Sequence, residues 1–126
     1  MKGYEVKIRE SSVELTAKER IKVKDLSNAV KLDRACEEES VMITPDYCVI
    51  LDIHNEKSDN KDYTNLMIAD KSGQKFVTGS PSFIDSFMDI WEEMQESAPD
   101  EDFSIEVYKL DSKNYKGKKF LTCSIM

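Results

Sequence analysis

Apolar and polar residues alternate with period two in several short runs of the chain and with period three to four in one, and the order of these runs carries most of what the sequence predicts. Residues 47–53, Tyr47-Cys48-Val49-Ile50-Leu51-Asp52-Ile53, are nearly continuously apolar and rich in β-formers, as in a strand buried on both faces. Residues 54–62 are polar turn-formers and predict a loop. Residues 63–69 predict a second strand, Asp70-Lys71-Ser72-Gly73-Gln74 a hairpin turn, and residues 75–78 the returning strand. Ser80-Pro81 then predicts a helix start. Serine can accept from exposed N–H groups, and proline at the first helical position lacks a donor that would be orphaned anyway. Phe83, Phe87, Ile90, Trp91 and Met94 recur on one helical face, Asp85, Asp89, Glu92, Glu93 and Glu96 cover the other, and Ala98-Pro99 marks the stop. Residues 103–108 and 120–125 predict two closing strands, joined by a basic loop.

The first 45 residues are patterned less clearly. Tyr4-Glu5-Val6-Lys7-Ile8 alternates as a strand does, and Thr16-Ala17-Lys18-Glu19 has the spacing of a capping box that could open a helical turn. Ile21-Lys22-Val23-Lys24 alternates again. Leu26, Ala29, Val30, Leu32 and Ala35 fit one helical face, while residues 29–32 also fit a strand; Val41-Met42-Ile43 is a short apolar run stopped by Thr44-Pro45.

From residue 46 onward the order is β-β-β-α-β-β. That is the order of a five-stranded OB barrel, whose helix lies between strands three and four and plugs the open end. The sequence therefore predicts a mainly β fold with one helix: an OB-like barrel over residues 46–126, and residues 1–45 as an N-terminal extension packed on that core.

With 126 residues the chain has the length of one domain. Its net charge of −7 argues against a polyanion partner until its distribution is considered. Between Ser82 and Asp102 there are eight carboxylates (Asp85, Asp89, Glu92, Glu93, Glu96, Asp100, Glu101 and Asp102) and no lysine or arginine, so the rest of the chain sums to about +1. Residues 109–119 hold five lysines (Lys109, Lys113, Lys116, Lys118 and Lys119) against Asp111 alone. Such polarity lets one side of a small acidic protein attract phosphate while the other repels it, although a solvated charge run needs no partner at all.

In an OB-like barrel the loops 54–62 and 111–118 would border the ligand face, where lysines follow phosphates and aromatic rings stack on unpaired bases. The candidate nucleic-acid-binding residues are Tyr63, Lys75, Phe76, Lys113, Tyr115, Lys116, Lys118 and Lys119. Tyr115 is the best stacking candidate because its loop has no apolar context; Phe76 fits the core better than a platform. Asp62-Tyr63, Lys71-Ser72-Gly73, Phe76-Val77-Thr78-Gly79-Ser80, Ser82-Phe83 and the stretch from Ser112 to Leu121 resemble small phage-encoded single-stranded DNA-binding proteins with an OB core. The resemblance covers roughly residues 46–126. It implies a non-catalytic, cofactor-free protein that coats or guards single-stranded DNA during phage or mobile-element replication.

Other chemistries are less well supplied. A Cys3His zinc site would need Cys36, Cys48, Cys123 and His54, whose separations are scattered, so buried reduced thiols are expected instead and no metal. Asp52 and His54 would share a strand face as orienter and base, but neither Ser58 nor Cys48 is placed as a nucleophile. Asp46, Asp52 and Asp62 have no magnesium-ligand spacing. The rival reading is a small acidic phage protein whose helix mimics a polyanion and inhibits a host or replication protein. No apolar stretch reaches the roughly 20 residues of a membrane helix, so a cytoplasmic protein without a membrane partner is expected. Exposed strand edges could build a homo-oligomer.

Overall fold

A computed structural model describes residues 3–37, 39–111 and 119–126. In chain order the elements are β1 (Tyr4–Ser11), α1 (Ala17–Lys24), β2 (Val30–Lys31), α2 (Leu32–Ala35), β3 (Val41–Ile43), β4 (Pro45–Asn55), β5 (Asp62–Asp70), β6 (Lys75–Thr78), α3 (Pro81–Ser97), β7 (Ile105–Asp111) and β8 (Lys119–Ile125). The chain divides into two compact units: residues 1–30 with 46–79, and residues 31–45 with 80–126.

The expected architecture is corrected in two respects. The described residues hold three helices rather than one, and the strands form a five-stranded sheet ordered β1-β4-β5-β6-β2 and a three-stranded sheet ordered β3-β7-β8, neither closed into a barrel. Residues 46–126 do carry five strands with a helix between the third and fourth. Their closure is pre-empted by the first 45 residues: β1 takes the free side of β4, running antiparallel from Tyr4 opposite Asn55 to Ser11 opposite Val49, and β3 takes the free side of β7. A strand with both neighbours in place has no edge left for the pairing that a barrel requires.

In the first unit, Val23, Val49, Leu51, Ile53, Met67 and Ala69 form the buried cluster, with Val6, Ile8, Leu15, Leu26, Tyr47 and Tyr63 packed against it. The strand alternation predicted at Tyr4 is present, and a bulge between Ile8 and Glu10 inserts Arg9. Residues 21–24, read as alternating, lie in α1 instead. Thr16 Oγ1 accepts from Glu19 N at 3.2 Å while Glu19 Oε1 accepts from Thr16 N at 3.0 Å, a complete capping box that satisfies donors at both ends of the turn. Only Val23 of this helix is buried. At the β5–β6 turn Gly73 has φ of 93°, in the left-handed region where a side chain is strained, and its N–H donates to Asp70 O.

In the second unit, α3 begins as its sequence predicts. Ser80 Oγ accepts from Phe83 N, Pro81 occupies the first turn, and Phe83, Phe87 and Trp91 are buried. Their rings form a file along the helix, with centroids 6.0 Å apart for Phe83 and Phe87 and 5.9 Å for Phe87 and Trp91; Trp91 meets Phe103 at 6.0 Å. Ser82 Oγ donates to Leu121 O at 2.8 Å and Ser86 Oγ lies 3.2 Å from Thr122 Oγ1, fixing the helix against β8. Among the described residues no helix is long and apolar enough to cross a membrane.

Candidate functional site

The two units carry different surfaces, each traceable to a pattern in the sequence. In the first unit, period-two alternation puts Val6, Ile8, Leu51 and Ile53 on the core face and Glu5, Lys7, Arg9, Asp52 and His54 on the other. With Asp62, Tyr63 and Thr64 of β5 these side chains line an open cavity of about 590 Å³. The strand register sets Lys7 opposite Asp52 and Glu5 opposite His54, so charges of opposite sign alternate across the sheet.

Two clusters fill this face. Arg9, aimed by the bulge, donates through Nε to Asp52 Oδ2 at 3.1 Å and through its guanidinium to Thr64 Oγ1 at 3.3 Å, while Thr64 donates to Asp52 Oδ1. His54 sits between Asp62, 2.7 Å from Nδ1, and Glu56, 2.7 Å from Nε2; Lys61 reaches Glu56 at 3.2 Å. A carboxylate at each ring nitrogen requires both nitrogens to donate, which only the imidazolium can do. The hydrogen bonds from Asp62 and Glu56 accordingly raise the His54 pKa above its ordinary 6.5, and those from His54 and Lys61 lower that of Glu56 below 4.5.

The sign of the pH dependence follows. Stability contributed through His54 is fully present below pH 6.5 and is lost as pH rises through its raised folded-state pKa. Stability through Glu56 is present above 4.5 and is lost as pH falls through its lowered one. The difference in melting temperature between the wild-type protein and His54→Gln should therefore be largest between pH 4.5 and 6.5 and shrink steadily above it. Paired thermal denaturation curves across that range measure it, and a difference that grows at alkaline pH contradicts the arrangement.

Chemically, this face is compensated. Both nitrogens of His54 are occupied, so it has no lone pair to offer as a base, and Asp52 pairs with Arg9 rather than with His54. The two carboxylates flank opposite edges of the imidazole and cannot converge on an ion. No group of three or more metal-ligating side chains occurs among the described residues. The three cysteines are free and buried; burial pushes the Cys48 and Cys123 thiols up to about 11 and also raises Cys36.

The sequence-predicted nucleic-acid residues are dispersed. Tyr63 is half-buried against the core cluster of the first unit and borders the cavity. Lys75 donates its ammonium to Lys22 O at 2.7 Å and to Asp25 O at 3.1 Å, serving the end of α1. Phe76 is 6% exposed, leaving no free ring face to stack on a base. Lys119 is exposed on β8 of the second unit, opposite Asp111. Lys113, Tyr115, Lys116 and Lys118 lie outside the described residues.

The second unit carries the other surface. Asp85, Asp89, Glu92, Glu93 and Glu96 are exposed on α3, opposite the buried aromatic file, and none has an ion-pair partner among the described residues. Asp100, Glu101 and Asp102 continue the acidic run into the exposed exit loop. Where α3 ends, Met94, Phe103, Ile125 and Met126 line an open cavity of about 560 Å³ together with Glu101 and Asp102. Sequence reasoning found the acidic face, because charge is visible in the letters. It missed the hollow, which needs β8 and the exit loop to be neighbours. Compared with protein-family models, curated proteins and solved structures, the chain matches none.

Proposed function

We propose that this is a non-catalytic binding protein whose acidic α3 face and adjoining hollow dock a lysine- or arginine-rich protein segment carrying an apolar anchor. The observation that carries this reading is a row of unpaired carboxylates maintained against the helix's own stability. Asp85 with Asp89, Asp89 with Glu93 and Glu92 with Glu96 are like-charged pairs four residues apart, which destabilise a helix. The last turn contains no base, so Glu96 stands there where the helix dipole disfavours an anion. Local folding energetics do not select such a face; complementarity to a basic partner does. The hollow beyond it sets the apolar side chains of Met94, Phe103, Ile125 and Met126 beside the carboxylates of Glu101 and Asp102, so an apolar anchor and a base can be met together. A partner that normally grips a polyanion would be blocked by this surface, so the action is inhibition of a nucleic-acid-handling protein in the cytoplasm of a host cell, with the chain of phage or mobile-element origin.

Single-stranded nucleic acid is the second reading. It keeps the lysine-rich sequence from 113 to 119 and the exposed Lys119, and it loses the barrel groove on which it was built. Fluorescence anisotropy with two labelled probes separates the readings. The first is a lysine- and arginine-rich peptide containing one phenylalanine; the second is oligo-dT. Peptide binding should weaken steeply with salt and weaken again when phenylalanine is replaced by alanine. Salt-dependent capture of oligo-dT, with the peptide unbound, reverses the order of the two readings.

A further inference from the structure

β1 is the outer strand of the five-stranded sheet, with β4 on one side and, among the described residues, no strand of that sheet on the other. An outer strand of eight residues presents a row of N–H and C=O groups that a further strand can complete. Pairing with β4 fixes which groups those are. Gly3 O accepts from Glu56 N at 2.8 Å, so residue 3 turns its backbone toward β4, and by the alternation of an antiparallel ladder Glu5 and Lys7 do the same. Tyr4, Val6 and Ile8 therefore direct their N–H and C=O groups away from the sheet. A groove of about 770 Å³ is lined by Tyr4, Glu5, Val6, Lys7 and Ile8, together with Arg20 and Lys24 of α1. Successive strand side chains point to opposite faces, so a groove lined by five in a row follows the strand's edge.

The sequence at this edge is complementary to itself. With a second copy laid antiparallel and Val6 opposite Val6, Tyr4 falls opposite Ile8 and Glu5 opposite Lys7, each twice. The outward-facing residues Tyr4, Val6 and Ile8 then occupy the hydrogen-bonded positions, and their side chains make aromatic–aliphatic and aliphatic pairs. Glu5 and Lys7 occupy the non-hydrogen-bonded positions, where side chains approach most closely and opposite charges are best placed. Sliding the strands to the neighbouring in-phase registers sets Lys7 against Lys7 or Glu5 against Glu5. We propose that two copies of this chain associate through β1, antiparallel about Val6, joining their five-stranded sheets into one continuous sheet. The contact uses the first unit alone and shares no residue with the acidic face of α3, so either proposal can fail without the other.

Sedimentation velocity over a concentration series reads the association. The wild-type protein should sediment at twice the chain mass. Glu5→Lys and Lys7→Glu each set like charges together at both symmetric positions and should each weaken association about tenfold or more. An equimolar mixture of the two variants restores opposite charges at both positions and should recover the dimer as a heterodimer, which a misfolded variant could not do. Val6→Pro deletes the N–H at the two-fold axis while leaving the β4 ladder intact, and should also give monomers. A wild-type protein that stays monomeric overturns the proposal and leaves this edge to a strand from a different protein. A mixture that fails to associate overturns the register.

Discussion

Phe87→Ala should lower the unfolding free energy by about 3–5 kcal/mol, the range expected when a fully buried aromatic side chain is truncated in a core that cannot collapse around the void. Phe87 is completely buried at the centre of the ring file, stacked on Phe83 at one side and on Trp91 at the other. Its loss removes two ring contacts as well as apolar burial, each aromatic pair adding roughly 0.5–1.5 kcal/mol beyond area alone. Native domains are stable by only about 5–15 kcal/mol, so the variant should melt more than about 10 °C below the wild-type protein. Phe120→Ala is the control. That ring is 38% exposed, and its removal should cost less than about 1 kcal/mol. Equal losses from the two variants would mean that the file along α3 does not organise the second unit.

The same helix shows what can be read from sequence and why. Ser80-Pro81, the three- and four-residue spacing of Phe83, Phe87 and Trp91, and Ala98-Pro99 are local signals, and α3 follows them. The strands at 4–8 and within 46–126 were legible in the same way, by alternation and turn residues, whereas 41–43 read only as a short apolar run before Thr44-Pro45. Their partners were not. β1 and β4 lie more than forty residues apart, as the Arg9–Asp52 contact shows, and alternation says which face a residue takes but not which strand lies beside it. The OB reading failed at that step: element order was correct over residues 46–126, while strand pairing was decided by β1 and β3 from the preceding segment. Residues 21–24 failed for a second reason. Two apolar residues alternating with two lysines are too few to fix a period, and the capping box at Thr16 settles the matter toward helix. Of the candidate surfaces, the acids of α3 were visible because a helix keeps them on one face. That Asp52 and His54 share a face was also visible. The clasp of His54 by Asp62 depends on the hairpin between β4 and β5, and Lys75 reaches α1 across some fifty residues; neither leaves a trace in spacing.

Reversing Glu92, Glu93 and Glu96 together to lysine should move stability and binding in opposite directions. On the stability side, the three residues stand in the second half of a helix with no base in its last turn, where a cation is favoured over an anion by about 0.3–1 kcal/mol per site within the final turn. The substitutions also convert the repulsive spacing of Asp89 and Glu93 into an attractive one. All three side chains are exposed, so no packing is lost, and the melting temperature should hold or rise by a few degrees. On the binding side, the change replaces three carboxylates with three ammonium groups in the middle of the proposed docking face. Close interfacial charge pairs couple by about 1.5 kcal/mol or more, so affinity for the lysine- and arginine-rich peptide should fall by at least about 100-fold, with most of its salt dependence. The hollow lined by Met94, Phe103, Glu101 and Asp102 is left untouched, so any residual binding should respond to the peptide's phenylalanine and only weakly to salt. Circular dichroism melting and anisotropy titration on the same preparation read both quantities. A variant that binds as tightly as the wild-type protein would return the acidic face to the role of a solvated surface, and a variant that loses stability together with binding would show that these carboxylates hold the fold.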